Sequence, residues 1–174
     1  FPLATISLRG IGQDLYIDDL IVWDSQASDG FNTQPRGVTY IDTIVPNGSG
    51  SSSALSPTGA ASNWDAANEA GSDQDTSYVQ GQSGIDLYAF SDIASNPATI
   101  YGAVVNSSVR PHLIGQVSVR PVAKSGAVSA IGTTDTLKVP NYRVLQSIFI
   151  NDPATASAWS KTAINNAEFG VEAI

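Results

Sequence analysis

The sequence predicts an all-β protein, an antiparallel jelly-roll-like β-sandwich with an N-terminal β-hairpin and one short C-terminal helix. Two observations carry this. Short runs of β-branched and aromatic residues alternate with polar ones, and Gly, Pro, Asn and Ser turns separate them. The composition agrees: of 174 residues 42% are hydrophobic and only 14% charged, with 15 Gly and 9 Pro. Because the apolar residues are grouped and alternate, the chain is not of the disordered class.

Taken in order, Ala4 to Arg9 is a short strand, followed by the Gly10-Ile11-Gly12 turn and the run Asp14 to Asp24, the densest stretch of strand formers. Tyr16, Ile17, Ile21, Val22 and Trp23 favour a pleated, packed surface. Leu15, Ile17, Ile21 and Trp23 fall on one face and Tyr16, Leu20 and Val22 on the other, the pattern of a strand covered on both sides. The adjacent Asp18 and Asp19 need partners, a bulge or water there. A lone hairpin is marginal in water, so this one is expected to lean on a neighbour, with Trp23 buried at the junction. The polar connection from Asp24 to Pro35 marks a boundary. Residues 1–33 are then hairpin and linker, and residues 34–174 the sandwich.

Val38 to Val45 predicts a strand ending at Pro46-Asn47-Gly48. Gly48 to Ala61, rich in Ser and Gly, reads as a long surface loop, and a second irregular stretch runs from Asn63-Trp64-Asp65 to Tyr78. Strands follow at Ile85–Phe90, Ile100–Val109, Leu113–Val122, Val128–Ile131, Thr136–Val139 and Arg143–Ile150. Val117 and Val119 point one way, and Gln116, Ser118 and Arg120 the other. Ile100–Val109 and Arg143–Ile150 are apolar on both faces. Ser160 is placed to cap a short helix over Lys161–Ala167, and Glu168–Ile174 closes the chain as a strand. The expected core includes Val104, Val117, Val119, Leu145, Ile148 and Phe169.

The formal net charge of −8, from sixteen acids against eight bases, argues against direct nucleic-acid binding, which needs a basic footprint. It also disfavours anionic membrane surfaces, and no apolar run approaches the roughly 20 residues of a membrane span. With no cysteine, disulfides, thiolate metal sites and cysteine catalysis are excluded. The opening Phe1-Pro2-Leu3-Ala4 has neither initiator Met nor signal-peptide character, which leads us to expect a cleaved product or part of something longer.

Candidate chemistry is sparse. The one histidine, His112, has no second histidine or cysteine to complete a metal site and reads as an ordinary surface residue. No Gly-x-Ser-x-Gly elbow presents a nucleophile. Glycosidase chemistry wants two carboxyls flanking one bond. Asp18 and Asp19 point to opposite faces of a strand, and Glu69, Glu168 and Glu172 are scattered. Asp73-x-Asp75 has the hard oxygens calcium favours but not the remaining spacing of a calcium loop, so a solvated acidic loop is the expectation. Gly10-x-Gly12 and Gly48-x-Gly50 are turn glycines. Trp64, Tyr78 and Trp159 are the candidate glycan or interface contacts, with packing as the plainer role. No catalytic, cofactor-binding or metal-ligating residue is assigned.

Several separated phrases occur in a suggestive order: Tyr16-Ile17-Asp18-Asp19-Leu20-Ile21-Val22, Val45-Pro46-Asn47-Gly48-x-Gly50, Pro57-Thr58-Gly59 before Asn63-Trp64, and Asp75-Thr76-Ser77-Tyr78-Val79. The set closes with Asp152-Pro153-Ala154-Thr155, Ala158-Trp159-Ser160 and Ala167-Glu168-Phe169-Gly170-Val171. Together they resemble structural proteins of tailed-bacteriophage virions. That resemblance implies a concanavalin-like jelly roll, of which only the last two strands fall in this sequence, followed by a second β-rich domain. It implies no catalytic residues.

The expected function is therefore a non-enzymatic structural component of a phage virion, assembled in the host cytoplasm and decorating or projecting from the head or tail. Its partners are other virion proteins and itself, as a homo-oligomer with a trimer favoured, without cofactor, nucleic acid or membrane. The alternative is a carbohydrate-binding module for host-surface glycans.

Overall fold

A computed structural model describes residues 40–69, 71–112 and 116–174. The expected N-terminal hairpin, with Asp18, Asp19 and Trp23, lies outside the described residues. Contacts divide the chain into Phe1–Ile41 and Asp42–Ile174, a division eight residues beyond the expected boundary. The second unit is described below.

Its elements are the strands β1 (Pro46–Ser53), β2 (Ser56–Thr58), β3 (Tyr78–Gln80), β4 (Gly84–Phe90), β5 (Ala103–Val109), β6 (Val117–Ser125), β7 (Val128–Ile131), β8 (Asp135–Leu137), β9 (Arg143–Phe149), β10 (Asn151–Asp152), β11 (Ser157–Ala158) and β12 (Glu168–Ala173), and the helix α1 (Lys161–Asn166). A single 3-10 turn covers Asp65–Ala67. All strand pairs are antiparallel. The protein is an all-β sandwich with a short C-terminal helix.

The layers are unequal. Among the described residues, six strands form the main sheet in the order β1-β4-β12-β6-β7, with β8 also pairing with β6, whereas β5 and β9 form a separate two-stranded ribbon. Alternation decides what lies between them. From the sheet come Phe169 and Val171 of β12 and Val117, Val119 and Ala123 of β6; from the ribbon come Ala103, Val105 and Val109 of β5 and Leu145 and Phe149 of β9. Leu137 of β8 joins Val119 and Leu145. Ile164 of α1, together with Trp159 and Ile93, plugs the end around Phe149 and Phe169. The Trp159 ring is tilted against Phe169 at 6.0 Å, and Phe90 meets Phe169 edge-on at 5.6 Å. The Trp159 indole N–H donates to the Phe149 carbonyl at 2.8 Å, so its one polar atom is satisfied in the core.

Helix α1 starts where the sequence places it. Ser160 has extended backbone and its hydroxyl accepts from the Ala163 N–H at 3.0 Å, which provides for one of the unpaired donors of the first turn. The helix ends at Asn166, one residue short of expectation, and β12 begins at Glu168.

Three expectations are corrected. The strand foreseen over Val38–Val45 is not formed across its described part, 40–45; the strand is Pro46–Ser53, which takes in the expected Pro46-Asn47-Gly48 turn and the start of the expected Gly48–Ala61 loop. This Ser- and Gly-rich segment is held by its ladder to β4 rather than by apolar side chains. Its pairing slips between Ser49 and Ser53, and there the backbone passes so close to β4 that a Cβ at Gly50 would run into the Leu87 carbonyl. Composition reads such a strand as a loop. The remaining corrections are Val104 and Ile148, which are not core but 50% and 63% exposed. They are registered partners on the outward face of the ribbon. Val119, Leu145 and Phe169 are buried as expected, and Val117 packs beside them.

This difference between two apolar positions is measurable. Trp159→Ala, opening a cavity where the indole is 3% exposed, is expected to cost about 3–5 kcal/mol. Ile148→Ala is expected to stay within about 0.5 kcal/mol. Denaturant titration of both variants checks the assignment of inner and outer faces.

Candidate interaction surface

Three side-chain clusters cross-link the elements of the sandwich. Asp86, fully buried on β4, accepts from the Leu55 backbone N–H at 2.8 Å through one carboxyl oxygen. Through the other it contacts the Asn63 amide at 2.5 Å and the Tyr88 hydroxyl at 3.1 Å. Asn63 also donates to the Leu55 carbonyl. The 55–63 segment is thereby fastened over the sheet, and among the described residues no buried side-chain polar atom is left without a partner. Burial, then the Asp86 charge and its hydrogen bond, push the Tyr88 phenol far above its ordinary value.

Asp75, Arg110 and Tyr142 form the second cluster. The Asp75 carboxylate receives the Arg110 guanidinium at 2.7 and 3.2 Å and the Tyr142 hydroxyl at 2.8 Å, while Arg110 lies 5.3 Å from the Tyr142 ring centroid. The hydrogen bond from Arg110 and then that from Tyr142 hold Asp75 below the usual carboxylate range. Asp73 turns elsewhere: the Ser77 hydroxyl lies 2.9 Å from both Asp73 and Glu69. The two carboxylates of Asp73-x-Asp75 thus serve different partners. Among the described residues no group of three or more potential ligands is placed to hold a metal.

The third cluster lies on the outer face of the main sheet. Glu168 and Glu172 of β12 stand in register with Lys124 and Arg120 of β6, and pair with them at 3.6 and 2.6 Å. Glu168 also accepts the Ser51 N–H at 2.9 Å and its hydroxyl at 2.6 Å, and Lys124 bonds the same hydroxyl. Burial pushes the Glu168 carboxyl up, but the Ser51 bonds and Lys124 outweigh it and leave it below its ordinary value. A carboxylate so held does not resemble a general acid, whose carboxyl must sit above the usual range.

Of the three sequence-selected aromatics, Trp159 belongs to the core and offers no ring to a ligand. Trp64, at the start of the 3-10 turn, and Tyr78 of β3 are half-buried on neighbouring elements. His112 is exposed.

The surface that sequence reading missed is the outward face of the ribbon. In register across it stand Val104 and Ile148, Asn106 and Gln146, and Ser108 and Val144. Val144 is 71% exposed, and Ile150, just beyond β9, 46%. Gln146 donates to Asn106 at 3.0 Å between the aliphatic pairs. No charged side chain stands among these pairs; two residues beyond Ser108 comes Arg110, bound to Asp75 at 2.7 Å, while Arg143, in register with the inward Val109, is bound to Asp135 at 3.0 Å. The signal was present: Arg143–Ile150 is apolar on both faces, and a two-stranded layer covers only one of them.

No protein-family model matches the chain, and neither the curated proteins nor the solved structures contain a match to it.

Asp152 supplies a test of the electrostatics. It is 3% exposed and accepts the Ala154 N–H and the Thr155 hydroxyl, each at 3.0 Å. Burial raises its carboxyl, but hydrogen bonds from Ser125, Ala154 and Thr155 prevail and lower it. A carboxyl lowered on folding contributes stability above its unfolded value near 3.9, and this is lost as pH falls through the folded value. Asp152→Asn, which keeps one acceptor oxygen, is expected to be less stable than the parent at pH 7. The two thermal unfolding profiles should converge below about pH 4. A gap of constant size from pH 7 to 3 would show that the charge contributes nothing.

Proposed function

We propose that this chain is a non-enzymatic structural component of a tailed-phage virion, decorating or projecting from the particle and contacting neighbouring proteins and copies of itself. The observation that carries the proposal is the outward ribbon face, where Val104, Val144, Ile148 and Ile150 are exposed and no described residue covers them. Grouped exposed aliphatics of this kind mark contact surfaces. A virion component meets its neighbours at many repeated sites, so a modest contact suffices when several act together. The resemblance of the ordered sequence phrases to those of virion proteins supports the same reading. A homo-oligomer belongs to this proposal.

A second reading, recognition of host-surface glycans, is favoured by Trp64 and Tyr78, half-buried on adjacent elements, where rings of this kind stack on sugars.

Mass spectrometry of purified particles, followed by imaging of the intact virion, tests the first reading: the chain is expected among the particle proteins at a repeated position. Its absence from purified virions sinks the proposal. On a glycan array, binding lost in both Trp64→Ala and Tyr78→Ala would establish the second.

A further inference from the structure

We infer that the outward face of the β5–β9 ribbon is a self-pairing surface: it meets the same face of a second copy of this chain in an isologous contact centred on the Asn106–Gln146 pair. The inference concerns the purified chain in solution and does not rest on the virion reading.

Charge argues for the occupant. At a formal net charge of −8, two copies repel over most of their surfaces, and a self-contact costs least where neither copy presents charge. The pairs Val104/Ile148, Asn106/Gln146 and Ser108/Val144 contain none. A basic partner would gain from the acids elsewhere and nothing from this face.

The amides supply complementarity. Gln146 donates one N–H to the Asn106 carbonyl oxygen. Each primary amide carries two donors and an acceptor oxygen with two lone pairs. The pair therefore keeps both kinds of group available, and an identical pair facing it can be matched donor to acceptor. An entirely aliphatic strip would fix no register; amides between aliphatic pairs do, because burying them unmatched is costly. A surface that carries its own complement is what an isologous contact requires.

Size sets the strength. Two strands of seven residues give a face about 24 Å long and about 10 Å wide, less than the ~800 Å² per partner of a standard stable complex. The pairing is therefore reversible and dependent on concentration.

Sedimentation equilibrium of the full chain over a wide concentration range is the experiment, with Ile148→Glu, Ile148→Lys, Val144→Glu and Val144→Lys as variants. These positions are 63% and 71% exposed, so the variants are expected to fold, which circular dichroism checks; each position stands in for the other. The parent should dimerise reversibly. Each single variant should weaken association by about tenfold or more, because two charges of one sign are then buried within an uncharged contact. An equimolar mixture of the Glu and Lys variants at one position should recover association as a mixed dimer. That recovery is specific to like faces meeting, since a contact with any other surface leaves the mixture no better than its parts. A parent that stays monomeric at millimolar concentration, a trimer untouched by the variants, or a mixture that fails to recover would each overturn the inference.

Discussion

A two-stranded ribbon cannot hold itself together in water, and the placement of most of this sandwich follows from that constraint. β5 and β9 persist because Leu145 and Phe149, with Val105 and Val109 beside them, are buried against Val119, Ala123 and Phe169. Ser147, between Leu145 and Phe149, stays on the inner face at no polar cost because its hydroxyl accepts the Thr133 N–H at 3.0 Å. The ribbon covers only part of the six-stranded sheet. At one end the rest is closed by Trp159, Ile93 and α1, and β4 receives the 55–63 segment through Asp86.

The Asp86 cluster contributes positional definition more than net stability. Removing one partner of a buried polar group leaves the other stranded, which costs far more than the bond itself gains. With the Leu55 N–H, the Asn63 amide and the Tyr88 hydroxyl all converging on one carboxyl, the 55–63 segment has one satisfying arrangement. At the opposite pole of the electrostatics, the Glu168–Lys124 and Glu172–Arg120 pairs are partly exposed and follow directly from the register of β12 on β6. Such pairs select register more than they stabilise.

What was legible in the sequence had local causes. Val128–Ile131 was read at its true bounds because it lies between clear turns, and Ser160 was read as a cap because a hydroxyl before a helical pattern has few other uses. The Pro46–Ser53 strand was not legible: its hold is the backbone ladder and the close approach at Gly50, and neither leaves an apolar mark. Val104 and Ile148 were misplaced for a different reason. Apolar residues on both faces of a strand look the same whether the second face is covered by a further layer or left open. The surface of greatest functional interest was thus written in the sequence as core.

The slip in β1 bears on how the chain behaves when many copies are crowded together. Among the described residues β1 is an edge strand, and such a strand normally offers a row of N–H and C=O groups onto which another chain can add. Here the pairing of β1 with β4 breaks step between Ser49 and Ser53, and the Ser51 N–H is spent on Glu168. The row is interrupted in its middle, so an incoming strand finds no continuous template along this margin of the sheet. Open-ended growth into fibres is disfavoured on that side by the backbone itself, in a stretch whose only side chains beyond Pro46 and Asn47 are serines.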